Sequence, residues 1–308
     1  MTYFTPKYFD EFFCRAGACP DSCCRAGWEI PIDPETYEFY KFTGIDVDKN
    51  SYIDPDGDRA FKLKADRTCP FFRADGLCEI YVRTDGRLCE ICAKYPRFFE
   101  EYDGFAEAGI SVSCPTAAEL ILSQKDNPYI DLQRESSDCL LDFLVTARER
   151  AMDMIYSEDD PDVAAAKLYG YGMDLQELID SDELEAIDNI GFEPAELIGE
   201  RELAGLRRFI REETEILNSK WRELIESNAS YNTGTQLQKR NYLAYLTYRY
   251  SLKAINTEDI YAECAFITAL YRLAGALGEN YIETVRLISK EIDHNADNYD
   301  AILNLLAD

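Results

Sequence analysis

The sequence CRAGACPDSCC, which runs from Cys14 to Cys24, places four cysteines in one short stretch. The glycine and proline inside it favour tight turns, so the thiols converge on a loop without a helix or strand to hold them apart. Adjacent Cys23 and Cys24 could bond to each other only through a strained ring, which favours separate ligand roles over a disulfide. The stretch therefore predicts a loop-rich site lined by sulfur near the start of the chain.

More cysteines follow at turn signals in the first 114 residues, whereas the rest of the chain holds only Cys139 and Cys264. Those two lie in the apolar segments CLLDFLV and YAECAFITALY, a pattern typical of buried thiols. The total of 11 cysteines is odd, and no export signal precedes them, which argues against disulfides. The cysteines after the first stretch and before residue 115 are Cys69, Cys78, Cys89, Cys92 and Cys114.

Ligation by sulfur alone selects an iron–sulfur cluster or zinc, because the chain contains a single histidine, His294. A structural zinc site usually has two CxxC-like pairs, and only Cys89 with Cys92 forms such a pair. The cysteines are instead scattered over roughly a hundred residues, which favours an iron–sulfur cluster and leaves zinc as the alternative.

Charge restricts the partners of the chain. Its 308 residues include 59 Asp and Glu against 32 Lys and Arg, for a formal net charge of −27, and 46% are hydrophobic. Such a chain folds and stays soluble, but its field repels nucleic-acid phosphates and anionic lipid surfaces. No apolar run approaches the roughly 20 residues of a membrane helix, so we expect a cytoplasmic protein. The acidic surface either attracts a cationic partner or only maintains solubility.

The sequence predicts a mainly α fold: a Cys-rich, loop-rich N-terminal module with a few short strands over residues 1–125, and an acidic helical domain over 126–308. Short strands are predicted between Trp28 and Ile110, where GWEIPID, AFKLK and AEAGISVS have the pattern of a strand. The segment Gly170-Tyr171-Gly172 is predicted to be a loop between helices, not a nucleotide-binding turn. Apolar residues recur at helical spacing in Ser136 to Tyr156, Glu200 to Asn228, Thr235 to Ile255, Glu258 to Leu277 and Tyr281 to Ile292.

Several ordered blocks stand out in the first third of the chain: FFCRAGACPDSCCRAGWEIPID from Phe12, CPFF from Cys69, DGLCEIY from Asp75, LCEICAKYPR from Leu88 and SVSCPTAAELIL from Ser111. Together they resemble the flagellin lysine-N-methylases, within a wider group of cysteine-cluster proteins. The resemblance is specific in this third and sparse after it, at Asn241 to Arg249 and Glu291 to Asn298.

The resemblance implies an enzyme that uses S-adenosylmethionine and an iron–sulfur cluster, 4Fe-4S in the first instance, to methylate surface lysines of flagellin. Neither standard site for this methyl donor is present, since no strand, Gly-rich loop and helix follow one another. The CxxxCxxC triplet of radical enzymes is also missing, because Ala26 stands where its third cysteine would be. The alternative is a non-catalytic protein that chelates zinc or iron or carries electrons.

We expect eight sulfur ligands, with Cys89 as a doubtful ninth because Cys92 matches the YPR block more closely. Eight thiolates would suffice for two four-ligand centres, or for one cluster with an open iron and some structural thiols. The expected ligands are Cys14, Cys19, Cys23, Cys24, Cys69, Cys78, Cys92 and Cys114.

A lysine amine with an ordinary pKa of about 10.4 must lose a proton before it can accept a methyl group. Tyr245 and His294 are the candidates for this proton transfer, and His294 provides the only imidazole. Tyr242 and Arg249 lie on the same helix face as Tyr245, where Arg249 could pair with the carboxylate of the methyl donor. The alternative interpretation is an aromatic core stripe for the tyrosines and a packing role for His294.

Overall fold

The computed structural model describes residues 3–130, 137–227 and 234–307. It is mainly helical, with 57% helix and 8% strand, which confirms the predicted mainly α class. No helix within the described ranges is both long and apolar enough to cross a bilayer.

The first third of the chain alternates short helices with short strands, and its cysteine loop contains only brief 3₁₀ turns, among them Cys23–Arg25. Strand order in the larger sheet is β1-β5-β4, with β1 parallel and β4 antiparallel to β5, while β2 and β3 form a separate antiparallel pair. The elements are β1 (Tyr3–Phe4), α1 (Pro34–Phe42), β2 (Ser51–Ile53), β3 (Arg59–Phe61), α2 (Glu79–Thr84), α3 (Glu90–Lys94), β4 (Arg97–Tyr102), β5 (Phe105–Ile110) and α4 (Pro115–Leu122).

The remainder is a helical body in which α10 is buried almost throughout and packs against α6, α9 and α12. Side-chain caps set several helix starts; for example, Thr235 and Gln238 form a capping box at the start of α9. The helices are α5 (Cys139–Ser157), α6 (Pro161–Asp180), α7 (Glu200–Glu213), α8 (Ser219–Glu226), α9 (Gln236–Tyr250), α10 (Ile260–Ala276), α11 (Tyr281–Ile292) and α12 (Ala296–Ala307).

Buried side chains form two apolar cores. A small core surrounds Tyr40, Phe61 and Ile80 and includes the cysteines Cys69 and Cys89. The large core fills the helical body and also takes in β5 and α4, whose residues are almost all buried. The sheet and α4 therefore anchor the N-terminal third to the helices, and the buried ion pair between Arg148 of α5 and Glu107 of β5 joins them.

Two of the predicted elements are wrong in detail. The segment Glu200 to Asn228 is not one helix but two, α7 and α8, separated by Thr214 to Asn218. The segment Gly170-Tyr171-Gly172 lies inside α6 and not in a loop. A Cβ atom on Gly170 would come within 2.2 Å of the Glu193 carbonyl oxygen, so the glycine permits close backbone packing.

The other predicted helices correspond to α5, α9, α10 and α11, of which α11 has the predicted bounds. The predicted first residue of α5, Ser136, lies outside the described residues, as does Asn228. Of the predicted strands, AFKLK and AEAGISVS overlap β3 and β5, whereas GWEIPID contributes only a bridge between Pro31 and Ala60.

Candidate functional site

The cysteines of the first third form two neighbouring sets. We call Cys14, Cys19, Cys23 and Cys114 the first thiol group, because Cys14 and Cys114 lie near Cys23, and Cys14 and Cys19 lie near Cys114. The second thiol group lies in and around the small core and consists of Cys24, Cys69, Cys78, Cys89 and Cys92.

Contacts between thiols occur within and between the groups. The Cys23 and Cys69 thiols contact Cys24 and lower the pKa of its thiol well below the ordinary value. A backbone hydrogen bond of 2.8 Å from Cys69 N to Cys24 O fixes that pair. Cys89, the doubtful ninth ligand, is buried and contacts Cys92, which lowers the pKa of the Cys89 thiol. Cys89 therefore belongs to the second group as closely as its neighbours do.

The chemistry of these donors fits a metal that prefers sulfur, because nine thiols and no imidazole make up the two groups. In the described part of the chain, however, no three or more His, Cys, Asp or Glu side chains are arranged as they stand to hold a metal ion. The ligand role of the predicted cysteines therefore stays a prediction.

The cysteine loop is tied to α11 by one buried charge cluster. Asp21, between Cys19 and Cys23, accepts hydrogen bonds from Arg286 and from Lys290, the latter at 2.5 Å between Nζ and Oδ2. The side chains of Arg286 and Lys290 are only 2% exposed, so both cations are shielded from water and are paired with the Asp21 carboxylate instead. Burial opposes ionisation of Asp21, but Lys290 and Arg286 outweigh it and lower the pKa of the carboxyl group.

One turn beyond these cations, Asp293 is the acceptor of a buried hydroxyl cluster. The Tyr245 hydroxyl donates to Asp293 at 2.9 Å and the Ser289 hydroxyl at 2.5 Å, and Tyr250 donates to the other carboxylate oxygen. The Ser111 hydroxyl is a further donor at 3.3 Å. Burial and the charge of Asp293 raise the pKa of Tyr245, so this phenol stays protonated and acts as a donor.

His294 extends this cluster to the surface. Its Nε2 lies 2.9 Å from the Ser113 hydroxyl, which is itself 2.9 Å from the hydroxyl of Ser111. The imidazole lies tilted against Trp28, at 4.3 Å between ring centroids, and against Tyr95 at 5.7 Å. Hydrogen bonds thus connect an accessible imidazole to the partly buried carboxylate of Asp293, through Ser113 and Ser111, which lie just before Cys114.

The protonation state of His294 follows from its surroundings. Desolvation by the packed rings lowers its pKa to about 4, and the charge of Asp293 opposes this shift only in part. The residue itself is exposed to solvent. At pH 7 the imidazole is neutral and can accept a proton.

The two residues expected to bind the methyl donor occupy different surroundings. Arg249 pairs with Glu100 at 2.6 Å, and its guanidinium lies 4.1 Å from the centroid of the Phe98 ring. Tyr242 is buried between Tyr245 and Tyr281, and within the described ranges its hydroxyl has no hydrogen-bond partner. The predicted shared face of Tyr242 and Tyr245 is present, as their rings stack at 6.4 Å.

The segments CPDSCC, SVSC and Glu291 to Asn298 carry part of the sequence resemblance, but no role was predicted for most of their polar residues. Asp21, Ser111, Ser113 and Asp293 lie in these segments and form the charge and hydroxyl clusters of the site. The one sequence feature that could have indicated their role is that each lies close to a predicted ligand cysteine or to His294. Compared with known protein families, curated proteins and solved structures, the chain gives no match.

Proposed function

We propose that this protein is a lysine N-methyltransferase of the cytoplasm that uses S-adenosylmethionine and an iron–sulfur cluster and acts on flagellin. The observation that carries the proposal is the junction at Ser113 and Cys114. Ser113 contacts His294, a neutral proton acceptor, and the next residue belongs to the first thiol group. The residues proposed to bind the metal and those proposed to transfer the proton are therefore adjacent, which supports the proposal. The resemblance of the cysteine blocks to flagellin lysine-N-methylases supplies the substrate.

The proposal divides the chain into a Cys-rich module over residues 1–125 and a helical domain over 126–308 that contributes the pocket. The separate small core supports a distinct module, and the Asp21 cluster supports its attachment to α11. The two thiol groups would hold the metal centres. A cluster with one iron free of protein thiolate would bind the amino acid end of the methyl donor and orient it.

The residues around His294 fit the polar chemistry of methyl transfer. A lysine amine that has lost its proton attacks the methyl carbon of the sulfonium, and the electron pair of the broken carbon–sulfur bond stays on sulfur. The proton of the lysine would pass by way of the exposed His294 to solvent, because the low pKa of His294 makes its imidazolium transient; Ser113 and the charge of Asp293 would stabilise that imidazolium. Trp28 and Tyr95 present aromatic faces beside His294 that attract a cationic side chain. Tyr242 and Arg249 remain proposed walls of the donor site.

Anaerobic isolation with iron, sulfide and zinc analysis, followed by a methylation assay on purified flagellin, tests the proposal. The parent protein should contain iron and sulfide and add mass increments of one methyl group to flagellin lysines. Cys114→Ser should lose bound iron, whereas Cys264→Ser, which alters a buried thiol of α10, should keep it. His294→Gln should keep iron and lose at least tenfold in rate, as expected for a proton acceptor.

Two outcomes contradict the proposal in different ways. A colourless protein with stoichiometric zinc and no iron would remove the cluster. Iron-loaded protein that adds no methyl group to flagellin would remove the enzyme and leave the metal-chelating or electron-carrying alternative.

A further inference from the structure

A second candidate site lies at the other end of α9 and α11 from the Asp293 cluster. There a cavity of about 200 Å³ is lined by Asp162, Glu200, Lys239, Arg272 and Tyr281, among others. At about 30 Å³ for each water, this volume holds roughly seven water-sized groups, which matches a small metabolite. Neither the cysteines nor His294 line it.

Four helices each contribute one of their first four residues to the lining of this cavity. Asp162 is the second residue of α6, Glu200 the first of α7, Lys239 the fourth of α9 and Tyr281 the first of α11. Each helix N-terminus carries a partial positive charge of about half a unit, and side-chain caps already pair some of the backbone N–H groups of α6, α9 and α11 but none of α7. Their convergence favours a ligand with an anionic group at the cavity.

Buried donors without acceptors are the second, independent observation. Tyr281 is 4% exposed and the Arg272 Nε atom is buried, yet within the described residues neither the Tyr281 hydroxyl nor this Nε has a hydrogen-bond partner. A buried donor without an acceptor is destabilising, so a ligand that supplies the acceptors would recover this free energy. The two oxygens of a carboxylate could accept hydrogen bonds from both the Tyr281 hydroxyl and the Arg272 Nε.

The remaining charges of the cavity limit the ligand further. The Lys239 ammonium is buried and lies 3.2 Å from an Asp162 oxygen, and the Tyr271 hydroxyl also donates to this carboxylate. At the rim, Glu200 is largely exposed and lies 3.4 Å from Arg272. The lining thus carries both signs of charge. A simple anion would meet the repulsion of a molecule with net charge −27, whereas a zwitterion would not.

We propose that this cavity binds a small zwitterion of the α-amino acid class. The carboxylate accepts hydrogen bonds from Tyr281 and the Arg272 Nε at the helix N-termini, and the ammonium group faces Glu200 and Asp162. This site is separate from the proposed methyl-transfer site, so it stands or fails independently of that function.

Calorimetric titration of the full chain with L-methionine, L-serine and glycine tests the proposal, with acetate and methylamine as the two halves of the zwitterion. At least one amino acid should bind while acetate and methylamine do not. Tyr281→Phe should weaken that binding about tenfold, the loss expected for one hydrogen bond. Tyr171→Phe is the matched control, because Tyr171 also has a buried hydroxyl without a partner in the described chain but does not line the cavity.

Arg272→Gln, at the rim, provides the same test if Tyr281→Phe fails to fold. Absence of heat with every amino acid, or equal binding by Tyr281→Phe and the parent, would overturn the site. Binding of acetate as tight as that of the amino acids would overturn the zwitterion and leave a site for simple anions.

Discussion

At the scale of single residues, Glu263 is a carboxyl group placed almost entirely out of water. It lies in α10 with 1% exposure, and only one of its oxygens accepts a hydrogen bond, from Tyr299, among the described residues. Desolvation raises its pKa from 4.5 to about 7, although Tyr299 and Lys253 oppose the shift. Between these values the folded protein keeps a proton that the unfolded chain releases, so its stability falls as pH rises through this window.

Glu263→Gln should remove this pH dependence, because an amide does not ionise. At pH 5 we expect a free energy of unfolding close to that of the parent, and at pH 8 a gain of up to about 3 kcal/mol. Urea unfolding at both pH values measures the difference. Glu177→Gln, an exposed position on α6, is the control and should change neither value. An equal effect of Glu263→Gln at pH 5 and pH 8 would show that its carboxyl group is not the cause.

At the scale of elements, the break between α7 and α8 depends on a distant carboxylate. Both oxygens of Glu291 accept hydrogen bonds from backbone N–H groups of the linker, Leu217 at 2.9 Å and Asn218 at 3.0 Å. Asn218 then caps α8. Periodicity could not reveal this break, because the apolar residues keep helical spacing across it and the partner lies more than 70 residues later. The prediction of a loop at Gly170 was wrong for a related reason: the glycine is needed for close packing against Glu193, a contact that local sequence patterns do not indicate.

Glu291→Gln should destabilise the protein, because an amide offers one acceptor oxygen where two N–H groups need partners. Glu291 is 4% exposed, so water has little access to replace the acceptor that one N–H group loses. We expect the free energy of unfolding to fall by about 1–3 kcal/mol. Chemical denaturation compares it with Glu213→Gln, an exposed position at the end of α7. A loss no larger than that of the control would mean that the linker is held by other contacts.

At the scale of the whole molecule, the residue types that make up the site could largely be predicted from the sequence, but the contacts between them could not. The sequence predicted the cysteine set, the helical remainder and the acidic character from residue types and spacing alone. It could not predict that Asp21 would meet Arg286 and Lys290, or that Ser111 and Ser113 would connect His294 to Asp293, because these pairs are joined only by the tertiary fold. Burial of Tyr242 is likewise a property of the packed helices.

The net charge of −27 should accelerate encounters with lysine-bearing surfaces, provided that the proposed function is correct. Salt shortens the Debye length from about 10 Å at 0.1 M to about 3 Å at 1 M, so kcat/KM for flagellin should fall over this range. The kcat value should change less, because steering affects association and not the chemical step. Steady-state and single-turnover rates across the salt series decide this. A kcat/KM independent of salt would leave the acidic surface with solubility as its only role.

The attachment of the cysteine loop to α11 also orders events during synthesis. Arg286 and Lys290 follow Asp21 by 265 and 269 residues, so a ribosome working at about 5–20 residues per second completes them roughly 15–50 s after the loop. For all of that time the thiols of Cys14 to Cys24 have emerged without the helix that holds them in place. Nascent chains therefore pass through a stage in which these cysteines are open to oxidants and to metal ions, and Asp21 can pair with Arg286 and Lys290 only around the end of translation.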